Sequence, residues 1–207
     1  MEKDLQASLA PLRDAIDAID KEILSLLNKR AHTAQQVGEV KEAFDAACPI
    51  LKPEREASLI RHLQSINQGP FTEAGIESVW REIISVCRGL ERTLVVAYLG
   101  PQGSFSEQAA LEQFGHAIQK MPCANFDEVF RAVESGQADI GMVPVENSTE
   151  GAVSRTLDLL LNSSLKVMGE RSLSIQHNLM TQSGKMDGVT TVMAHPQALA
   201  QCQGWLG

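Results

Sequence analysis

From Leu5 to Phe44, apolar side chains recur at Leu9, Leu12, Ile16, Ile19, Ile23, Leu26, Ala34, Val37, Val40 and Phe44. Steps of three and four are the helical period and run close to a heptad repeat. Pro11 is the only proline in that stretch and Gly38 the only glycine. The pattern therefore predicts one helix, roughly 55–60 Å long at ~1.5 Å per residue. A small domain cannot cover such a length. Part of the seam needs a partner helix, most simply from a second copy of the chain.

Pro49 and Pro53 interrupt the period, and Pro53 suits the first turn of a new helix running from Glu54 to Gln68, with Leu59, Leu63 and Ile66 on one face. Gly69-Pro70 is a turn, and Thr72 can cap a third helix with Ile76, Val79, Ile83, Cys87 and Leu90 as its stripe. At Thr93 the pattern changes. Leu94 to Leu99 reads as a buried strand, followed by a glycine-rich loop and a helix from Ser106 to Phe114. Asn125 with Glu128 resembles a capping box for a helix ending near Gly136. Ile140 to Val145 is a second strand, Glu146 to Gly151 a polar loop before a helix through Leu161, Val189 to Ala194 a third strand, and His195-Pro196 the start of a last helix. The expectation is an all-α part over residues 1–92 and an α/β part over residues 93–207.

Composition narrows the chemistry. The chain has 207 residues, 43% of them apolar, 4% aromatic, and a formal net charge of −8. Cores can form, but so acidic a surface repels nucleic acid and anionic membranes. Cys48, Cys87, Cys123 and Cys202 are scattered without a C-x-x-C spacing, which argues against zinc and for reduced thiols in the cytoplasm. No metal or cofactor is expected. No secretory signal opens the chain, and no apolar run reaches the ~18 residues of a membrane span.

Positive charge must then be gathered locally to hold an anion. Arg30 and Lys41 are 11 residues apart, three turns plus about 20°, so they share a helix face. Arg30 sits where the seam wants a hydrophobe, a costly place unless something pairs it. Arg13 lies roughly 25 Å along the axis from Arg30 and cannot reach the same small molecule within one chain. An antiparallel partner helix would bring its own Arg13 there. Lys21 and Lys29 read as ordinary solvated charges. Cys87 and Glu91 are i and i+4, hence neighbours. Glu91 is either a carboxyl kept for hydrogen bonding or an exposed helix-end carboxylate.

Leu12-Arg13, Asn28-Lys29-Arg30, Val37-Gly38-Glu39-Val40-Lys41, Pro53-Glu54-Arg55-Glu56 and Ile83 to Glu91 together closely resemble the all-helical chorismate mutases over residues 5–91. The resemblance implies a three-helix, intertwined homodimer that rearranges chorismate to prephenate. It places substrate contacts on Arg13 (reaching into the other subunit's site), Arg30, Lys41, Arg55, Glu56 and Glu91. Two further contacts fall on Lys52, where some relatives have aspartate, and on Cys87, where some have serine. The pericyclic step needs a dianion held compactly and its ether oxygen stabilised. Arg13 and Arg30 would clamp the carboxylates, Lys41 and a protonated Glu91 would donate to the ether oxygen, and Glu56 would accept from the substrate hydroxyl.

Gly100 to Ser106, Val143 to Gly151 and His195 to Cys202 resemble prephenate dehydratase motifs, Glu146-Asn147-Ser148-Thr149-Glu150-Gly151 being the most specific. The resemblance implies a two-lobed, periplasmic-binding-protein-like α/β fold, with Ser104, Asn147, Ser148, Glu150 and Gln201 facing prephenate. That family's Thr-Arg-Phe motif is absent from the sequence. The expectation is an incomplete dehydratase domain lacking its second lobe's return and the regulatory ACT domain, with that activity lost. The alternative reading is a non-catalytic helical dimerisation module fused to a small-anion-binding α/β domain.

Overall fold

The computed structural model describes residues 2–44, 50–148 and 151–206. Its first element, α1 (Glu2–Phe44), is the 43-residue helix that the period predicts. Two shorter helices follow, α2 (Pro53–Ile66), with its proline in the first turn, and α3 (Glu73–Glu91). Thr72 caps α3 by accepting from the Gly75 amide at 3.0 Å. The Gln68 end expected for α2 comes two residues early, because Asn67 leaves the helix in an extended conformation.

The α1 seam divides. Over its second half the side turned toward α3 is Leu27, Arg30, Ala31, Ala34, Gly38 and Lys41, all partly buried. Small residues there let two helices approach closely. Val37, Val40 and Phe44 face outward instead, as do Leu12, Ile16, Ile19, Ile23 and Leu26 further up. The stripe expected on α3 is also displaced. Ile76 and Cys87 are buried, but Val79 and Leu90 are exposed, and Ile84, Ser85 and Arg88 take the interior. The reason is that α3 packs on two sides, against α1 and α2 on one and against the α/β part on the other.

Only Arg92 and Thr93 separate α3 from β1 (Leu94–Leu99), a strand buried on both faces. Then come α4 (Phe105–Phe114), β2 (Ile118–Cys123), α5 (Phe126–Glu134) and β3 (Ile140–Met142). The sheet is parallel with order β2-β1-β3. Leu94 and Val96 pack with Ala110 and Phe114 of α4 on one face, and Ala97 packs with Val129 and Ala132 of α5 on the other. This is the alternation that a doubly wound unit requires. Leu51, just before α2, joins the first of these clusters. The Asn125 cap of α5 forms as expected, its side chain accepting from Glu128 N at 2.9 Å, while the return bond of the box is shifted by one residue, Glu128 accepting from Ala124 N at 2.6 Å.

Several expectations fail here. β2 was not legible, since Gln119, Lys120 and Pro122 make an edge strand without apolar alternation. β3 is three residues long and stops before Val145. The polar loop instead holds a small antiparallel pair, β4 (Glu146–Asn147) with β5 (Gly151–Ala152), leading to α6 (Ser154–Asn162). Val189 to Ala194 forms no strand: all but Val192 are exposed, Met193 almost wholly, so the segment lacks the burial that its apolar side chains were expected to find. α7 (Pro196–Gln201) and α8 (Gln203–Leu206) end the described chain. Among the described residues, Cys87, Cys123 and Cys202 are free thiols, and no helix is long and apolar enough to cross a membrane. Cys48 lies outside them.

Candidate active site

One face of α3 collects most of the side chains singled out in the helical part. Arg30 of α1 makes a long 3.5 Å contact from Nη1 to the Ile83 carbonyl. One turn further along α3, Cys87 is buried. A turn beyond that, Lys41 Nζ meets Glu91 Oε2 at 2.9 Å, with the two side chains 20% and 13% exposed. Residues 83–91 rise roughly 12 Å, so Arg30 and Lys41 flank a stretch of the size of a small dianion. Gly38 explains the approach: a Cβ there would stand 3.0 Å from Glu91 Cγ and 3.3 Å from Glu91 Cβ. Glycine at this one place lets Glu91 lie against α1 beside Lys41. Glu91 is thus the partly buried, hydrogen-bonded carboxyl rather than a free helix-end charge.

Glu56 enters from α2. Its Oε1 accepts from Arg88 Nη1 at 2.8 Å, and Arg88 lies three residues before Glu91. Lys52, at the start of α2, and Arg55, in its first turn, are both exposed. Arg13 stands apart on the outward half of α1, with Nη1 on Gln6 Oε1 at 3.1 Å. One chain therefore brings Arg30, Lys41, Glu56, Cys87 and Glu91 together around α3 and leaves Arg13 far from them.

In the α/β part, Asn147 and Gln201, 54 residues apart in sequence, meet: Gln201 Nε2 donates to Asn147 Oδ1 at 3.4 Å. His177 Nε2 contacts Gln201 Oε1 at 2.7 Å, and the Phe105 ring stands edge-on to the His177 ring with centroids 6.4 Å apart. Ser104 adjoins Phe105 but is committed locally. Its hydroxyl donates to the Leu99 carbonyl at 2.9 Å and accepts from the Glu107 amide at 3.3 Å, capping α4. Ser148 is exposed. Glu150 lies outside the described residues.

The loop before α4 is held by Glu107, which is almost fully buried. Its carboxylate accepts from the Gly103 amide at 2.5 Å and from Lys120 Nζ at 2.7 Å. The Lys120 ammonium, followed by the Gly103 amide, holds the Glu107 carboxyl below the ordinary carboxylate range, and Glu107 raises Lys120 in return. Gly103, Ser104 and Glu107 also line a cleft of about 470 Å³ between α3 and α4, bordered by Arg81 and Arg171.

Sequence reasoning missed Arg88 and His177. A signal for Arg88 was present: Arg81, Ser85 and Arg88 are spaced i, i+4, i+7 on one face of α3, next to a two-residue connection that forces α3 against the following strand. His177 sits in a stretch without regular structure, and no periodicity marks it.

The sequence profile of the family "Prephenate dehydratase" matches residues 96–207, and that of "Chorismate mutase type II" matches residues 12–92. A bifunctional chorismate mutase/prephenate dehydratase of Neisseria gonorrhoeae is 47% identical over 208 residues, covering 100% of this chain and 56% of its own length. The bifunctional enzyme of the same name from Pseudomonas aeruginosa is 44% identical over 205 residues, covering 97% of this chain and 56% of its own length. A solved prephenate dehydratase of Streptococcus mutans aligns with 35% of this chain and 37% of its own, at 46% identity and a TM-score of 0.33. The chain spans 56% of the length of these two curated relatives.

Proposed function

Since the chain belongs to the bifunctional chorismate mutase/prephenate dehydratase family, we propose that its α1–α3 part, residues 1–92, rearranges chorismate to prephenate in phenylalanine biosynthesis in the cytoplasm. The observation that carries this reading is the Lys41–Glu91 contact at 2.9 Å, with Arg30 two turns away along the same face of α3.

In this mechanism Arg30 grips one carboxylate of the dianion, and Arg13 from a second copy grips the other. The breaking ether oxygen enters between Lys41 and Glu91 and replaces their mutual contact. Lys41 then donates from one side. Glu91, in its protonated form, donates from the other, where negative charge grows in the transition state. Glu56 accepts from the substrate hydroxyl. Arg55 and Lys52 support the rim of the site, and Cys87 forms its buried wall. No acid, base or nucleophile is consumed, so holding the substrate in its folded conformation supplies much of the rate.

The uncovered apolar line Leu12, Ile16, Ile19, Ile23, Leu26 supports a homodimer through the N-terminal helices. For the α/β part, residues 93–207, we read Asn147 and Gln201 as contacts for prephenate, joined by Ser104, Ser148 and Glu150 on neighbouring loops. Calorimetric titration with prephenate tests that reading, and a phenylpyruvate assay tests turnover.

The deciding experiment is chorismate consumption by the purified chain. Wild type should convert chorismate to prephenate. Lys41→Met should lose on the order of 10²–10³ in kcat, as expected for removing a donor aimed at developing charge. A wild-type chain inert toward chorismate contradicts the assignment.

A further inference from the structure

Arg88 belongs to no part of the mechanism just described, yet it is one of the few buried charges in the molecule, at 5% exposure. Its two terminal nitrogens point to different parts of the protein. Nη1 donates to Glu56 Oε1 at 2.8 Å, and Nη2 donates to the Phe114 carbonyl at 2.6 Å. Phe114 is the last residue of α4, where backbone carbonyls lack helical partners and a cation is favoured. Arg81 does the same one residue earlier, with Nη1 on the Gln113 carbonyl at 2.7 Å. Ser85, between them on the same face, accepts from the Ala117 amide at 3.2 Å. Gly115, at φ +76°, lies so close that a Cβ would stand 2.5 Å from Ser85 Cβ. The C-terminal end of α4 is therefore seated firmly on α3.

Burying a guanidinium is costly unless its bonds are good, and the Arg88 Nε has no partner among the described residues. A merely apolar seam would have been cheaper to build. What the arginine adds is a rigid fork, one prong fixed by α4 and the other fixing a carboxylate. Leu51 reinforces the arrangement, because it inserts into the core formed by Leu94, Val96, Ala110 and Phe114 only five residues before Glu56. The short path from Leu51 to Glu56 is thus anchored directly in the α/β core at Leu51 and, at Glu56, through Arg88, which is itself bonded to the end of α4.

We propose that Arg88 is a positioning residue for the mutase site: braced by the end of α4, it holds the Glu56 carboxylate where it accepts from the chorismate hydroxyl. The proposal rests on the mutase reading given above. It makes the α/β part a structural component of the mutase site, whatever chemistry that part performs itself.

A hydroxyl that is bonded equally in substrate and transition state contributes uniform binding, so its loss appears in KM and not in kcat. In the full 207-residue chain, Arg88→Met should raise KM for chorismate about tenfold with kcat held within about twofold. Glu56→Gln should raise KM in the same way. In the double variant the effects should not add, because Arg88 acts only through Glu56. Arg88→Lys, whose single ammonium cannot span both acceptors, should fall between wild type and Arg88→Met, and it carries the test alone if Arg88→Met does not fold. Folding is checked by far-UV circular dichroism and thermal melting. A folded Arg88 variant with wild-type KM, or additive effects in the double variant, would overturn the proposal. A wild type without chorismate turnover, or Glu56→Gln with unchanged KM, would instead sink the mutase reading or its placement of Glu56.

Discussion

A carboxyl donates a hydrogen bond only while it carries a proton, and this gives Glu91 a signature. Chorismate turnover should fall as pH rises if the proposed role of Glu91, a donor to the ether oxygen beside Lys41, is right. Glu91→Gln carries its donor at every pH and should flatten the kcat/KM profile. An unchanged profile in that variant rules out the role. Gly38 offers a second test. Alanine there places its Cβ 3.0 Å from Cγ of the Glu91 side chain, while the Gly→Ala exchange itself gains up to about 1 kcal/mol in helix propensity. Gly38→Ala should therefore lower kcat on the order of tenfold by displacing Glu91 without lowering the melting temperature. Loss of both together would mean that the helix contact, and not the carboxyl, is what the glycine protects.

At the scale of elements, the loop before α4 depends on an ion pair. The Glu107 carboxyl is held below its ordinary range, chiefly by Lys120 and then by the Gly103 amide. Its contribution to stability is present above the unfolded carboxylate range and is lost as pH falls through the depressed folded value. Lys120 is raised by the same contact, so its share is present below the ordinary lysine range and lost only as pH rises through the raised value. Melting curves should show wild type losing more stability on acidification than Glu107→Gln; parallel acid limbs would contradict this. Gly115→Ala, forced against Ser85 at positive φ, should cost about 2 kcal/mol or more in denaturant unfolding.

The elements also show what a sequence can reveal. α1 and the caps at Thr72 and Asn125 were legible because local periodicity and capping chemistry determine them. The cations Arg30 and Lys41 were legible through their angular spacing. β2 was not, since Pro122 and Lys120 belong to a strand only because β1 lies beside it. The expected strand at Val189 to Ala194 fails for the converse reason, since local β-propensity there is not matched by burial in the fold. Arg88 escaped notice because its two acceptors come from α2 and from the end of α4, and only tertiary packing brings them together.

The whole molecule leaves one long surface unfinished. Leu12, Ile16, Ile19, Ile23 and Leu26 are exposed along the first half of α1, and Arg13 lies on that half, away from the residues gathered on α3. Sedimentation velocity should find a dimer, and Ile16→Glu combined with Ile23→Glu should give a monomer that no longer turns over chorismate. A second copy that both covers the seam and delivers Arg13 accounts for the two observations at once.

The most direct measurement of that claim mixes two disabled chains. Arg13→Ala and Lys41→Ala variants should each be nearly inactive as homodimers. After co-refolding, each heterodimer pairs one chain's intact Lys41 with the other chain's intact Arg13 and so contains one complete site, restoring about a quarter of wild-type turnover for a random two-fold mixture. Recovery near that level supports a mutase site shared between chains. A mixture no more active than its parts would contradict it.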